Sequence, residues 1–98
     1  MYSEISKKYI IINLNITCLG ENMLDSVIVG RVIQRYREKI GLSQEVVSGL
    51  ADIGRTHLSA IERGLRKPTL ETFFKLADAM NISASNLVKM IEDELNDK

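Results

Sequence analysis

From Asp25 onward, apolar residues recur every three or four positions, and the recurrence breaks and restarts often enough to predict a series of short helices. Val29, Val32, Ile33, Tyr36 and Ile40 form a first stripe, with Asp25 or Ser26 as N-cap and Gly41 as the stop. Ser43 carries a hydroxyl suited to capping a second helix over roughly 44 to 51, with Val47, Leu50 and Ala51 as its expected buried positions. Ala51-Asp52-Ile53-Gly54 reads as a tight turn in which Asp52 tolerates a left-handed backbone. A third helix, about Arg55 to Arg63, buries Leu58 and Ile61 and stops at Gly64. That leaves Arg55, Thr56, His57, Ser59 and Ala60 on or near its outward side. Pro68-Thr69 opens a fourth helix with apolar positions Leu70, Phe73, Phe74, Leu76, Ala77 and Met80, closed by Asn81. Ser83 caps a fifth over about 84 to 95, whose apolar face is Leu87, Val88, Met90, Ile91 and Leu95. The fold class is therefore all-α.

Residues 1–26 differ in character and divide from a helical domain at 27–98. Tyr9 to Thr17 is β-branched and partly alternating, which favours a strand, and a lone strand needs a partner for its hydrogen bonds. The other reading of this extension is a dispensable leader. Lys7 and Lys8 before the apolar run faintly resemble a signal peptide, but Asn13 and Asn15 interrupt the run and no small-residue cleavage site follows. The run is also shorter than the ~20 residues a membrane-spanning helix requires, so no membrane partner is expected.

Composition narrows the function classes. The chain has 98 residues, 45% of them hydrophobic and none of them tryptophan, which suits a modest aliphatic core and leaves little room for a deep substrate pocket. Cys18 is the single cysteine and His57 the single histidine, so neither a disulfide framework nor a metal site is expected, and a reducing, cytoplasmic setting is. No glycine-rich phosphate loop or paired acid and base supports an enzyme, and no cofactor or small-molecule effector is expected. The formal net charge is zero, yet its distribution is uneven. Residues 27–67 hold eight Lys/Arg against four acids, whereas 68–98 hold three lysines against six acids. A basic middle of this kind can present one positive face to phosphates.

Two short helices joined by a tight turn, the second with a polar outward side, have the geometry that lays a helix into the major groove of DNA. The matching segments are Leu42-Ser43-Gln44-Glu45, then Arg55 through Gly64, then Arg66-Lys67-Pro68-Thr69-Leu70-Glu71-Thr72, and then Leu76 through Ser83. In order and spacing this resembles the lambda- and 434-repressor and Cro-like (XRE-type) helix-turn-helix family over about 27 to 95. The resemblance implies a five-helix lambda-repressor-like domain that binds double-stranded DNA, with the third helix reading bases. By position it implies that Gln44 holds a phosphate, that Arg55, Thr56 and Ser59 read bases, that His57 faces the groove or the backbone, and that Arg66 and Lys67 contact phosphate. It also implies a structural pair between Arg37 and Glu62.

Residue chemistry agrees with several of these roles. Arg55 can donate two parallel hydrogen bonds to guanine, a contact worth about 1–3 kcal/mol of discrimination. Arg63 either reaches a phosphate or simply complements the end of its helix. Ser48, Asp52 and Gly54 depart from the family's usual small apolar residue, glycine and Ser/Thr cap, which leaves the tilt of the third helix open.

One recognition helix contacts too few base pairs for genomic specificity, so a homodimer on a (pseudo)palindromic operator is expected. Leu87, Met90, Ile91 and Leu95 are the candidate interface, with the ends of the fourth helix assisting and the Tyr9–Thr17 strand as a second route. The run Arg55 to Arg63 also resembles restriction-modification controller proteins. An antitoxin or other protein-interaction module with autoregulatory DNA binding is the alternative.

Overall fold

Five helices follow one another with no strand among the described residues, 24–97, of the computed structural model. They are α1 (Ser26–Lys39), α2 (Gln44–Ala51), α3 (Arg55–Glu62), α4 (Leu70–Ala79) and α5 (Ala84–Asn96). The architecture is all-α and lambda-repressor-like. The expected strand over Tyr9–Thr17 lies outside the described residues, as does Cys18.

Local chemistry sets most of the helix limits. Asp25 caps α1 by accepting the Val27 N–H at 2.9 Å, and the Ser43 hydroxyl caps α2 by accepting the Val46 N–H at 3.1 Å. Thr69 and Ser83 do the same for α4 and α5, each accepting an N–H three residues on at 3.1 Å. Asp52 adopts the left-handed conformation (φ 57) that ends α2, and Gly54 begins α3 with no side-chain cap. The turn between α2 and α3 is thus made by an aspartate in the backbone region usually left to glycine.

The core gathers the inward faces of all five helices. Ile28 and Ile33 of α1, Val47 of α2, Leu58 and Ile61 of α3, Leu76 of α4 and Leu87 of α5 are enclosed. Each such side chain contributes about 1.5–3 kcal/mol through removal from water. α2 packs against α4 and α3, while α1 packs against α3 and α5, so α3 is held from two sides.

Several expected core positions are instead on the surface. Leu50 is 65% exposed, Leu70 73% and Phe74 57%, while Ile40 and Val88 are also exposed. In α2 the enclosed residues are Val47, Ser48 and Ala51, which at about 100° per residue define a face from which Leu50 is turned well away. Ser48 can be enclosed because its hydroxyl donates to the Glu45 carbonyl at 3.2 Å. In α4 the inward face is set by Phe73, Leu76 and Ala77, which leaves Phe74 beyond its edge. Ile40 sits at the C-cap, where the chain turns out of α1.

Two glycines allow close approaches that position α3. A Cβ on Gly30 of α1 would overlap the Ile61 carbonyl and stand 2.7 Å from the Glu62 carbonyl oxygen, so α1 and α3 cross nearly backbone to backbone. Gly64 (φ 78) terminates α3 where a Cβ would stand 2.8 Å from the Val27 α-carbon, and its carbonyl accepts the Ser26 hydroxyl at 3.1 Å. The start of α1 therefore anchors the loop that carries Arg66 and Lys67.

Candidate nucleic-acid interface

α3 has two unlike sides. Leu58, Ile61 and Glu62 are buried, whereas Arg55 and Thr56 are exposed and His57, Ser59 and Ala60 are half-exposed. The side that faces water thus carries Thr56, His57 and Ser59, while Arg55, three residues before Leu58, is exposed because it begins the helix. Arg63 caps the end of the helix and bends back, its Nε donating to the Ser59 carbonyl at 3.4 Å. Arg66 and Lys67 are exposed in the loop beyond. Five of these side chains, Arg55, Thr56, Arg63, Arg66 and Lys67, are therefore open to a partner, and four of the five are cationic.

Beneath this surface lies a charged pair. Glu62 Oε2 accepts from Arg37 Nε at 2.7 Å and Oε1 from Arg37 Nη2 at 3.0 Å, a bidentate geometry, with the Glu62 side chain 1% exposed. The hydrogen bond from the guanidinium to Glu62 raises the Arg37 pKa above its ordinary value, against the lowering effect of burial. Arg37 also donates from Nη1 to the Leu42 carbonyl at 2.8 Å.

Gln44 departs from the simplest expectation. Its amide turns inward and donates from Nε2 to Glu62 Oε1 at 2.8 Å, leaving the side chain half-buried at the start of α2. Gln44 lies three and seven residues before Val47 and Ala51 and so shares their inward face of the helix.

Of the four residues expected to form an interface, Ile91 and Leu95 line one groove, while Leu87 is fully enclosed. Leu87 and Ile91 lie in the core, packed among the protomer's own helices, while Met90 and Leu95 are half-buried. The reason is that α5 closes the bundle and must bury its own central stripe there. Exposed apolar area near α5 comes from Leu24, Leu70 and Val88, which line a groove of about 570 Å³ together with Ile91, Leu95 and Phe73, with Lys67 and Glu92 at it as well. Among the described residues no group of His, Cys, Asp and Glu is placed to hold a metal ion, and no helix is long and apolar enough to cross a membrane.

A short capped helix, a turn closed by a left-handed residue and a second helix with a polar open side define a helix-turn-helix domain. A profile described as helix-turn-helix matches residues 33–87, and the chain belongs to this family, in its XRE type. Members of the family are DNA-binding transcriptional regulators, not enzymes. The control protein C.MunI of Mycoplasma sp is 38% identical over 66 residues, covering 66% of this chain and 89% of that protein. The restriction-modification controller protein C.AhdI of Aeromonas hydrophila superposes with a TM-score of 0.62 at 35% identity, over 64% of this chain and 96% of that one. The controller protein C.Esp1396I, solved as a tetramer with its natural 35 base-pair operator, superposes with a TM-score of 0.67 at 26% identity, over 71% and 92%.

Proposed function

We propose that this chain binds double-stranded DNA as a homodimer, lays one α3 into the major groove of each half of a (pseudo)palindromic operator, and regulates transcription in the cytoplasm. The observation that carries this reading is the exposed start and outer side of α3, where Arg55 stands open as the first residue of the helix and Thr56 faces away from the buried Leu58, Ile61 and Glu62. Arg55 supplies the main base contact, Thr56 and Ser59 adjust to neighbouring bases, and His57 lies beside them near the backbone. Arg63, Arg66, Lys67 and the Gln44 amide meet phosphates on either side.

The groove lined by Leu24, Leu70 and Val88 is the surface we assign to the two-fold contact, with Leu95 of α5 and the start of α4 contributing. Such an apolar surface close to the two ends of the bundle suits self-association. Similarity to the control proteins C.MunI and C.AhdI supports a controller-type role, in which a small regulator sets the expression of a restriction-modification system.

Selection of binding duplexes from a random pool, followed by sedimentation of the complex, tests the proposal. It predicts an inverted repeat whose half-sites are about 10 base pairs or a multiple apart, occupied by two chains per repeat. Enrichment of no sequence, or a second protein co-purifying in place of a second copy, would overturn it.

A further inference from the structure

The carboxylate of Glu62 has a partner that an ion pair by itself does not need. Its Oε1 accepts from the Gln44 amide at 2.8 Å as well as from Arg37 Nη2 at 3.0 Å. Arg37 in turn holds the Leu42 carbonyl at 2.8 Å. One carboxylate on the recognition helix therefore grips the first residue of α2 directly, and the loop leading into α2 through a guanidinium. A primary amide nitrogen carries two hydrogens. Glu62 engages one, so the orientation of the other is set by a group that is itself immobilised by burial and two further hydrogen bonds.

Resting on the DNA-binding reading above, we propose that Glu62 is a positioning residue for duplex binding that acts through the Gln44 amide. By fixing which way that amide faces, Glu62 sets the phosphate contact of α2 and the base-reading side of α3 in one rigid relation. Gln44 is uncharged, so its contact adds affinity without releasing a counterion, and it acts alike on every base sequence.

The experiment measures affinity of the full chain for a duplex recovered by selection and for an unrelated duplex of equal length, by fluorescence anisotropy over a series of salt concentrations. The chains compared are the wild type, Gln44→Ala, Glu62→Gln and the double variant, each at a temperature where circular dichroism reports it folded. Each single variant is expected to weaken both duplexes roughly tenfold, a coupling of about 1.4 kcal/mol, with no further loss in the double variant and no change in salt slope. Losses that multiply in the double variant, or wild-type affinity in folded Glu62→Gln, would overturn the inference while leaving DNA binding intact. A wild type that binds neither duplex would overturn both readings. Should Glu62→Gln fail to fold, the Gln44 side-chain amide followed by heteronuclear NMR in the wild type decides the matter. Its signals shift when duplex is added if the inference holds, and stay unmoved if it does not.

Discussion

Arg37 on α1 and Glu62 at the end of α3 lie 25 positions apart, yet they join through two hydrogen bonds of 2.7 and 3.0 Å in a site closed to water. Neither charge has an alternative partner of equal quality once the other is gone. Arg37→Met should therefore destabilise the domain by about 3–5 kcal/mol, because it leaves a carboxylate buried and half-paired. Replacing both residues by apolar ones should recover much of that loss. Urea unfolding of the single and double variants checks this. A double variant no more stable than Arg37→Met would show that the penalty is not one of an uncompensated charge.

The contact between Gly30 and the carbonyls of Ile61 and Glu62 makes a second prediction. Gly30→Ala inserts a methyl where backbone atoms already touch, so α1 and α3 must separate. Overpacking of this kind costs about 1–3 kcal/mol, although alanine is intrinsically the better helix former. Thermal unfolding should report a lower midpoint, and duplex affinity should fall with it because α3 is displaced. An alanine variant more stable than the wild type would contradict the crossing geometry.

The exposed cations divide into two kinds by what they are expected to touch. Arg55→Ala should cost about 1–3 kcal/mol on a selected duplex and relax base preference at one position of each half-site. Lys67→Ala should weaken all duplexes about equally and reduce the salt slope by about one unit. Titrations of both variants at several salt concentrations separate the two effects. If neither variant differs from the wild type, the assignment of contacts is wrong.

Adjacent residues of α5 should behave in opposite ways. Leu87 is fully enclosed, so Leu87→Ala should destabilise the protomer by about 2–5 kcal/mol. Val88 is exposed on the groove, so Val88→Glu should leave the fold intact but dissociate the proposed dimer, with weaker DNA binding as the consequence. Analytical ultracentrifugation beside circular dichroism distinguishes the cases. A Val88→Glu chain that sediments as the wild type does would remove the groove from the two-fold contact.

What the sequence by itself determined is the set of features that depend on a residue and its near neighbours. The caps Asp25, Ser43 and Ser83, the left-handed Asp52 and the stop at Gly64 were all legible, because a short polar side chain or a missing Cβ acts within one turn of backbone. The open side of α3 was legible too, since Leu58 and Ile61 at helical spacing leave the outer side to Thr56 and Ser59, with Arg55 open at the start of the helix.

Tertiary structure decided which apolar residues of the remaining helices are enclosed. α2 has eight residues, little more than two turns, so Val47, Leu50 and Ala51 make an equally good stripe on paper. Packing against α3 and α4 selected Val47, Ser48 and Ala51, and turned Leu50 out to water. The same holds for Phe74 and Val88, which are exposed, and for Leu87 and Ile91, which the protomer's own helices enclose. The Gln44 amide found Glu62 from 18 positions away, and no local rule brings such a pair together. Burial belongs to the surfaces that meet, and a helix read alone has only one of them.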